Sequence, residues 1–320
     1  MGGNTMIMKE AVHMYIEYRY SLGEKYKSES STIRCFCKHL GEEKELHLIT
    51  TEDCVSFIYP PSGKVTQYLF ARYSTIKGFI LWAMARNYMP NNPLPLDLPT
   101  RPEATRPYIY TNDELKNLFA AALTYQKNRS TIHPECIQFI LKLTYMLGLR
   151  IHETISLCLG DIDCSNNVLT IKESKFYKSR HVTFNSYVCD SLHEFIAWRK
   201  SVGMEMEQVS RLFLDRKGFP MKQCSINGIF RRVCEEAGIN RRHDTGQYPR
   251  IHDLRHTFAV NRLTLWYRNG EDVQELLPFL STYLGHQRLA NTSVYLTMTP
   301  DLLGNANDRF AKYANMEDLL

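Results

Sequence analysis

The stretch PNNPLPLDLPTRPEATRP at 90–107 holds six of the 13 prolines of the chain. Proline fixes φ, has no amide donor and disfavours helix in the residue before it, so this segment reads as extended. It separates two regions of different pattern, and 320 residues are enough for two separate cores. The expected organisation is a helical domain at 1–95, a Pro-rich linker at 96–107, and a second domain with a carboxyl-terminal tail at 108–320.

Outward on the amino-terminal side, apolar residues recur at helical spacing over 6–20, over 30–40, in a short run after Thr50-Thr51-Glu52-Asp53, and over 65–89. In the last of these Tyr68, Ala71, Ile76, Phe79, Trp82 and Ala83 share a face. On the carboxyl-terminal side Thr111-Asn112-Asp113-Glu114 is a capping-box pattern that opens a helix. A helix over 134–147 follows, ended by Gly148, then a short one from Arg150 to Ser156 that carries Glu153 one turn on. The alternating stretches 161–163, 168–172 and 180–184, the first two flanking a turn at 164–167, predict a small antiparallel sheet. From Asn185 onward the pattern is helical again apart from Leu212 to Leu214. The fold class expected is therefore mainly α with a small antiparallel β-sheet: an all-helical amino-terminal domain and an α+β domain after it.

Composition narrows the function classes. A hydrophobic content of 44% excludes a disordered chain, and a net charge of +5 permits a polyanionic partner without demanding one. The nine cysteines include no C-x-x-C pair, which argues against a disulfide framework or a zinc knuckle and fits a reducing cytosol. No run of eighteen apolar residues occurs and the first twenty residues lack an apolar signal core, so neither a membrane span nor export is expected.

Four motifs follow one another in the second domain: GLRIHE (148–153), KFYKSR (175–180), RIHDLRHTF (250–258) and LGHQRLANTSVY (284–295). With 11 His and 19 Tyr in the chain, about one H-x-x-R match and one His-to-Tyr spacing of this kind arise by accident, so it is their order that informs. On these residues the chain resembles the tyrosine recombinase, or phage integrase, family, with the transposon-borne and Xer-like integrases included. The resemblance covers most of 107–300 and implies an α+β recombinase catalytic domain, with an amino-terminal domain laid out like the family's core-type DNA-binding domain. It carries over Arg150 of GLRIHE with Glu153 in support, Lys175 of the hairpin, His252 and Arg255 of H-x-x-R, His286 of LGH, and Tyr295 as nucleophile. Tyr295 is preferred over Tyr283 by its distance from LGH, and Lys175 over Lys172 and Lys178 by its place before Arg180. One departure is Thr183, where RHVTF would usually carry a proline; another is a longer segment between His256 and His286, in the manner of the transposon-borne branch.

Each of these groups has a job that elementary chemistry defines. Attack on a DNA phosphate spreads charge over nonbridging oxygens, which two guanidiniums, Arg150 and Arg255, could grip; a salt bridge such as Arg150 with Glu153 is the structural alternative. A phenol with pKa near 10 needs cations and a proton acceptor, for which His252 is the candidate, with His286 as a donor to a phosphate oxygen. Either histidine could instead be a satisfied interfacial group. Lys175 could protonate the leaving 5′-oxygen, against the alternative of a solvated surface lysine.

A phosphotyrosine linkage conserves bond energy, so the expected activity is site-specific cutting and rejoining of DNA through a 3′-phosphotyrosine intermediate and a Holliday junction, with no cofactor, ATP or metal. The resemblance implies double-stranded DNA with specific recombination sites as partner, a homotetramer on two duplexes, no membrane, and a bacterial, nucleoid-associated cytoplasmic setting. Accessory recombinase or DNA-bending proteins are compatible with it. Arg231, Arg232, Arg241, Arg242 and Arg250 are candidates for DNA phosphates. The apolar residues of the tail at 301–320 could dock on a neighbouring protomer or cap their own domain. The rival readings are a type IB topoisomerase-like enzyme with a similar residue set, a zinc metallohydrolase built on His252-Asp253-x-x-His256, and a non-catalytic DNA-binding protein.

Overall fold

Helices α1 (Met8–Ser21), α2 (Lys27–Leu40), α3 (Thr51–Ile58) and α4 (Gln67–Met84) build the amino-terminal of two compact units, Met1–Thr105 and Arg106–Leu320, in the computed structural model. Residues 6–103, 106–125, 130–172, 179–240, 248–297 and 304 are described. Lys175, Arg241, Arg242 and the tail apart from Gly304 lie outside them.

Local chemistry fixes where α3 starts: Thr50 Oγ1 accepts from the Asp53 amide at 3.3 Å and the Asp53 carboxylate accepts from the Thr50 amide at 2.9 Å. The core of this unit is aromatic, with Tyr15 set edge-on against Phe79 at 5.4 Å. Helix α4 is shorter than the 65–89 pattern, because Asn87 turns left-handed at φ 59° and the Tyr88 amide returns to the Ala83 carbonyl at 3.1 Å. The proline-rich segment then lies on its own unit: Met89 and Leu94 are buried in that core, and Gln67 Nε2 donates to the Pro102 carbonyl at 2.7 Å.

The carboxyl-terminal unit runs α5 (Asn112–Thr124), α6 (Pro134–Met146), α7 (Ile151–Ser156), β1 (Ile162–Asp163), β2 (Val168–Ile171), β3 (Arg180–Thr183), α8 (Ser186–Ser201), α9 (Gln223–Glu236), α10 (Ile251–Arg268), α11 (Val273–Leu284) and α12 (Ala290–Ser293), with a 3₁₀ turn at Val294–Thr297. The Thr111 and Glu114 capping box opens α5, as its sequence predicts. The sheet is antiparallel in the order β1-β2-β3, with Ile162 opposite Leu169 and Leu169 opposite Val182. Its period of two buries Leu169, Ile171 and Val182 on the domain core. A second, smaller core under α10 and α11 joins Phe258, Leu263, Leu277, Leu284 and Tyr295.

The helical reading fails over 202–222, which contains no helix. Gly203 at φ 75° stops α8, and the loop beyond wraps the fully buried Arg199, whose Nη1 donates to the Arg211 carbonyl at 2.9 Å and the Leu212 carbonyl at 3.1 Å. The apolar residues there do not line one helical face: Val209 is 78% exposed, whereas Leu212, Phe213 and Met221 are buried in the domain core from an irregular chain. The long segment before His286 is taken up by the last turns of α10, a stop at Gly270 (φ 77°), and α11, which Asp272 caps by accepting from the Gln274 and Glu275 amides. No helix among the described residues is long and apolar enough to cross a membrane.

Candidate active site

Two glycine turns organise the site. Helix α6 ends at Gly148 (φ 58°) and α11 at Gly285 (φ 68°), both in the left-handed region where a side chain costs free energy. A Cβ on Gly148 would run into the ring of Phe258, and one on Gly285 would meet the Arg180 side chain at 3.1 Å. Each turn thus brings its next residues, Arg150 and His286, against α10.

Arg255 projects from α10 between the turns and is wholly buried. Its Nη1 donates to the Gly148 carbonyl at 2.7 Å and its Nη2 to the Leu284 carbonyl at 2.5 Å, while Nε is buried without an acceptor in reach. Burial, then the neighbouring charge of Arg150, lowers its pKa to about 10, which leaves it charged at neutral pH. Arg150 donates from Nη2 to the Gly285 carbonyl at 3.0 Å and from Nη1 to Glu153 Oε1 at 2.8 Å. The two guanidiniums therefore pin the glycine turns together. Since a guanidinium has five N–H groups, the two bonds to protein oxygens on each leave donor capacity over.

Glu153 is 3% exposed, and burial alone would raise its pKa. Arg180 reverses this through a two-pronged bond, Nη1 to Oε1 at 2.7 Å and Nη2 to Oε2 at 2.9 Å, and with the amide and charge of Arg150 holds the carboxyl down at about 2. Arg180 also donates from Nε to the Tyr283 carbonyl at 3.1 Å, tying β3 to α11. Glu153 thus lies between two arginines, and the Arg150–Glu153 ion pair read as a structural alternative from the sequence is present.

The histidines follow from spacing on α10. His252, Arg255 and His256 are three and four residues apart and so share a face. His252 and His256 meet edge-on with ring centroids 4.6 Å apart. The turn after Gly285 sets His286 so that its Nδ1 lies 2.8 Å from Thr292 Oγ1 on α12, and α12 brings Tyr295 back to α10. Tyr295 is 2% exposed and its hydroxyl is 3.1 Å from His256 Nδ1. The sequence reading gives the phenol to His252; the ring within hydrogen-bond reach is His256.

Electrostatics at rest disfavour proton transfer. Burial raises the Tyr295 pKa, opposed by the charges of Arg255 and Arg150. Burial, then the charges of Arg250 and Arg255, lowers His256 to about 4; burial, then Arg255 and Arg150, lowers His286 to about 4. His252 moves the same way, by burial and then His256 and Arg255, but it is exposed, so water softens its shift most.

Of the residues singled out in the sequence, Arg150, Glu153, His252, Arg255, His286 and Tyr295 come together in one place. Arg180, His256 and Thr292 join them unannounced; all three stand inside quoted motifs, but nothing in those motifs marks them out. Among the DNA-contact candidates, Arg231 stacks over Tyr248 at 5.4 Å, Arg232 over Tyr125 at 5.8 Å, and Arg250 donates to Asp253 Oδ1 at 3.0 Å. Both Asp253 oxygens are occupied by Arg250, and among the described residues His252, Asp253 and His256 do not form a cluster with metal-ligand spacing. A cavity of about 580 Å³ beside His252 is lined by Gln223, Asn227, Arg231 and Arg250.

Comparison with known proteins matches residues 109–301 to the phage integrase family. A protein described as an integrase/recombinase in Sinorhizobium fredii is 32% identical over 306 residues, covering 95% of this chain and 97% of the relative. Tyrosine recombinase XerC of Listeria innocua is 25% identical over 236 residues, 72% of this chain and 71% of the relative. The fold is shared with the Tn1549 transposon integrase in complex with a circular intermediate DNA (TM-score 0.68, 18% identity, 95% of this chain and 100% of that one). It is shared also with a lambda integrase dimer bound to a COC′ core site (TM-score 0.66, 18% identity, 92% and 78%). With the family match spanning more than half of its length and a relative at 32% identity along nearly all of it, the chain belongs to the phage integrase family, the tyrosine recombinases, enzymes of site-specific DNA recombination.

Proposed function

We propose that the chain cuts and rejoins DNA at specific sites through a 3′-phosphotyrosine intermediate formed by Tyr295, and that strand exchange passes through a Holliday junction without ATP or metal. The observation that carries this is the buried Tyr295 hydroxyl, 3.1 Å from His256 Nδ1 and under the influence of Arg255 and Arg150 within one chain. Arg150 and Arg255 hold the nonbridging oxygens with the N–H groups not spent on the glycine turns; the buried Arg255 Nε is such a donor. His256 takes the phenolic proton, while His252 and His286 donate to the phosphate. Lys175, on the β2–β3 connection, protonates the leaving 5′-oxygen.

The resting pKa values give this scheme a trigger. A histidine held at about 4 is a poor acceptor for a phenol whose pKa is raised, so attack is uphill in the free protein. A phosphate between the histidines and the arginines adds negative charge, which raises the histidine pKa values and makes His256 a competent base. Cleavage therefore waits for DNA.

Lambda integrase is known as a tetramer bound to a Holliday junction. By analogy four protomers act here on two duplexes, with accessory recombinase or DNA-bending proteins as further partners and the cavity beside His252 as a phosphate-contact face for Arg231 and Arg250. Arg241 and Arg242 join that face as candidates from the sequence alone. The reading also implies a cytoplasmic, nucleoid-associated protein.

A nicked suicide duplex carrying the recombination site tests the scheme. The wild-type chain is expected to become covalently attached to the 3′-phosphate, and Tyr295→Phe to bind the duplex without forming an adduct. Adduct formation by Tyr295→Phe refutes the assignment, and relaxation of a plasmid that lacks any such site shifts the reading to a topoisomerase-like activity.

A further inference from the structure

Three potential metal ligands stand together outside the active site. Cys164 opens the turn between β1 and β2, and Cys189 and His193 are four residues apart on one face of α8. One ligand atom from each lies within 4.8 Å of the other two. One side-chain pair, Cys189 Sγ to His193 Nδ1, is 3.9 Å apart. Zinc bonds of about 2.3 Å to sulfur and about 2.0–2.1 Å to nitrogen in a tetrahedron require that edge to be about 3.6 Å, and a sulfur–sulfur edge of about 3.8 Å. Side-chain movements of tenths of an ångström therefore suffice at that edge.

We propose that Cys164, Cys189 and His193 form a structural site for a thiophilic divalent cation of the zinc class, bound by two thiolates and one imidazole with water in the fourth position. The ligand set selects the ion: two sulfurs and an imidazole suit zinc and disfavour magnesium or calcium, which take oxygen ligands. Two thiolates neutralise the dication, so the site adds no net charge to the domain. Each thiol gives up its proton to solvent as the metal–sulfur bond forms. The burial gradient provides a way in, because His193 is exposed, Cys164 half-buried and Cys189 buried. None of the three residues belongs to the cage around Tyr295. What the metal would do is mechanical: it would fasten the β1–β2 turn to α8 on the sheet whose third strand carries Arg180.

The site is invisible to a search for C-x-x-C because its ligands come from a turn and from a helix i,i+4 pair. Cobalt(II) added to the reduced, metal-stripped full chain tests it. The expected result is one cobalt per chain, a thiolate-to-cobalt charge-transfer band in the near ultraviolet, and visible bands of tetrahedral intensity that zinc abolishes. Cys189→Ser and Cys164→Ser should each remove most of the charge-transfer band. His193→Ala, at an exposed position that leaves the fold intact, should weaken binding by roughly tenfold or more. Cys224→Ser, an exposed thiol elsewhere, should change nothing. Zinc should also raise the melting temperature of the wild-type chain and not that of His193→Ala. Absence of the charge-transfer band in the wild type, or a band unchanged in His193→Ala and Cys164→Ser, overturns the proposal. So does a chain that forms a Cys164–Cys189 disulfide in air and takes up no metal after reduction.

Discussion

At the scale of single residues, the position of a proton separates two histidines that a motif treats as neighbours. His256 faces the Tyr295 hydroxyl and His252 does not, so the two substitutions are expected to differ in kind. His256→Gln keeps a polar side chain yet cannot accept and carry the proton at comparable pKa, and should slow adduct formation on a nicked duplex by about 10²–10⁴-fold. His252→Gln should retain most of the cleavage rate and lose phosphate affinity. Equal rates for His256→Gln and wild type would remove His256 from the proton's path.

Glu153 is the second telling residue, because replacing it with Gln leaves Arg150 and Arg180 with no counter-charge between them. Breaking such a buried pair costs about 3–5 kcal/mol, to be seen as a lower unfolding midpoint in urea together with lost cleavage. The acidic position was legible from GLRIHE, but its stronger partner was not. Arg180 sits 27 residues away on a strand, and only the antiparallel pairing of β2 with β3 carries it back to α7.

At the scale of elements, the two glycine turns matter more than helix propensity. Gly148→Ala must hold a Cβ in the left-handed region and push it into Phe258, with Leu284 also at 3.0 Å. Left-handed backbone costs about 1–2 kcal/mol and overpacking about 1–3 kcal/mol, so a loss of about 2–5 kcal/mol is expected in chemical denaturation. Gly203→Ala, where no atom lies within 4 Å of the added Cβ, should show the backbone part alone and serves as the reference. Helix starts were readable where a side chain caps them, as at Thr111, and the sheet was readable from its period of two. The stretch 202–222 was not, since its order comes from the buried Arg199 binding carbonyls 12 and 13 residues later, a contact that leaves no periodic trace. The end of α4 was hidden for a related reason: apolar residues continue past Asn87 because Met89 and Leu94 belong to the same core without being helical.

At the scale of the whole molecule, the cage couples stability, pH and DNA. In the unfolded chain histidine titrates near 6.5, whereas burial, followed by the surrounding arginine charges, brings His256 and His286 to about 4 in the fold. Between these values the unfolded chain binds more protons, so stability is fully present above about 6.5 and falls as pH drops toward about 4. Glu153 acts in the same direction lower down: its ordinary pKa of 4.5 is lowered to about 2, so its contribution is present above 4.5 and is lost as pH falls from there toward about 2. Thermal melts across this range should thus show an acid limb in two stages, and the His256→Gln/His286→Gln pair should flatten the upper stage only. DNA enters the same linkage with the opposite sign. A phosphate docked among Arg150, Arg255 and the histidines raises the histidine pKa values, so binding at a pH above about 4 and below the raised values must take up protons. Calorimetry of Tyr295→Phe with its duplex, repeated in buffers of different ionisation enthalpy, measures that uptake without cleavage. A binding enthalpy that is the same in every buffer would mean that the phosphate does not reach the histidines, and that the trigger for tyrosine attack lies elsewhere.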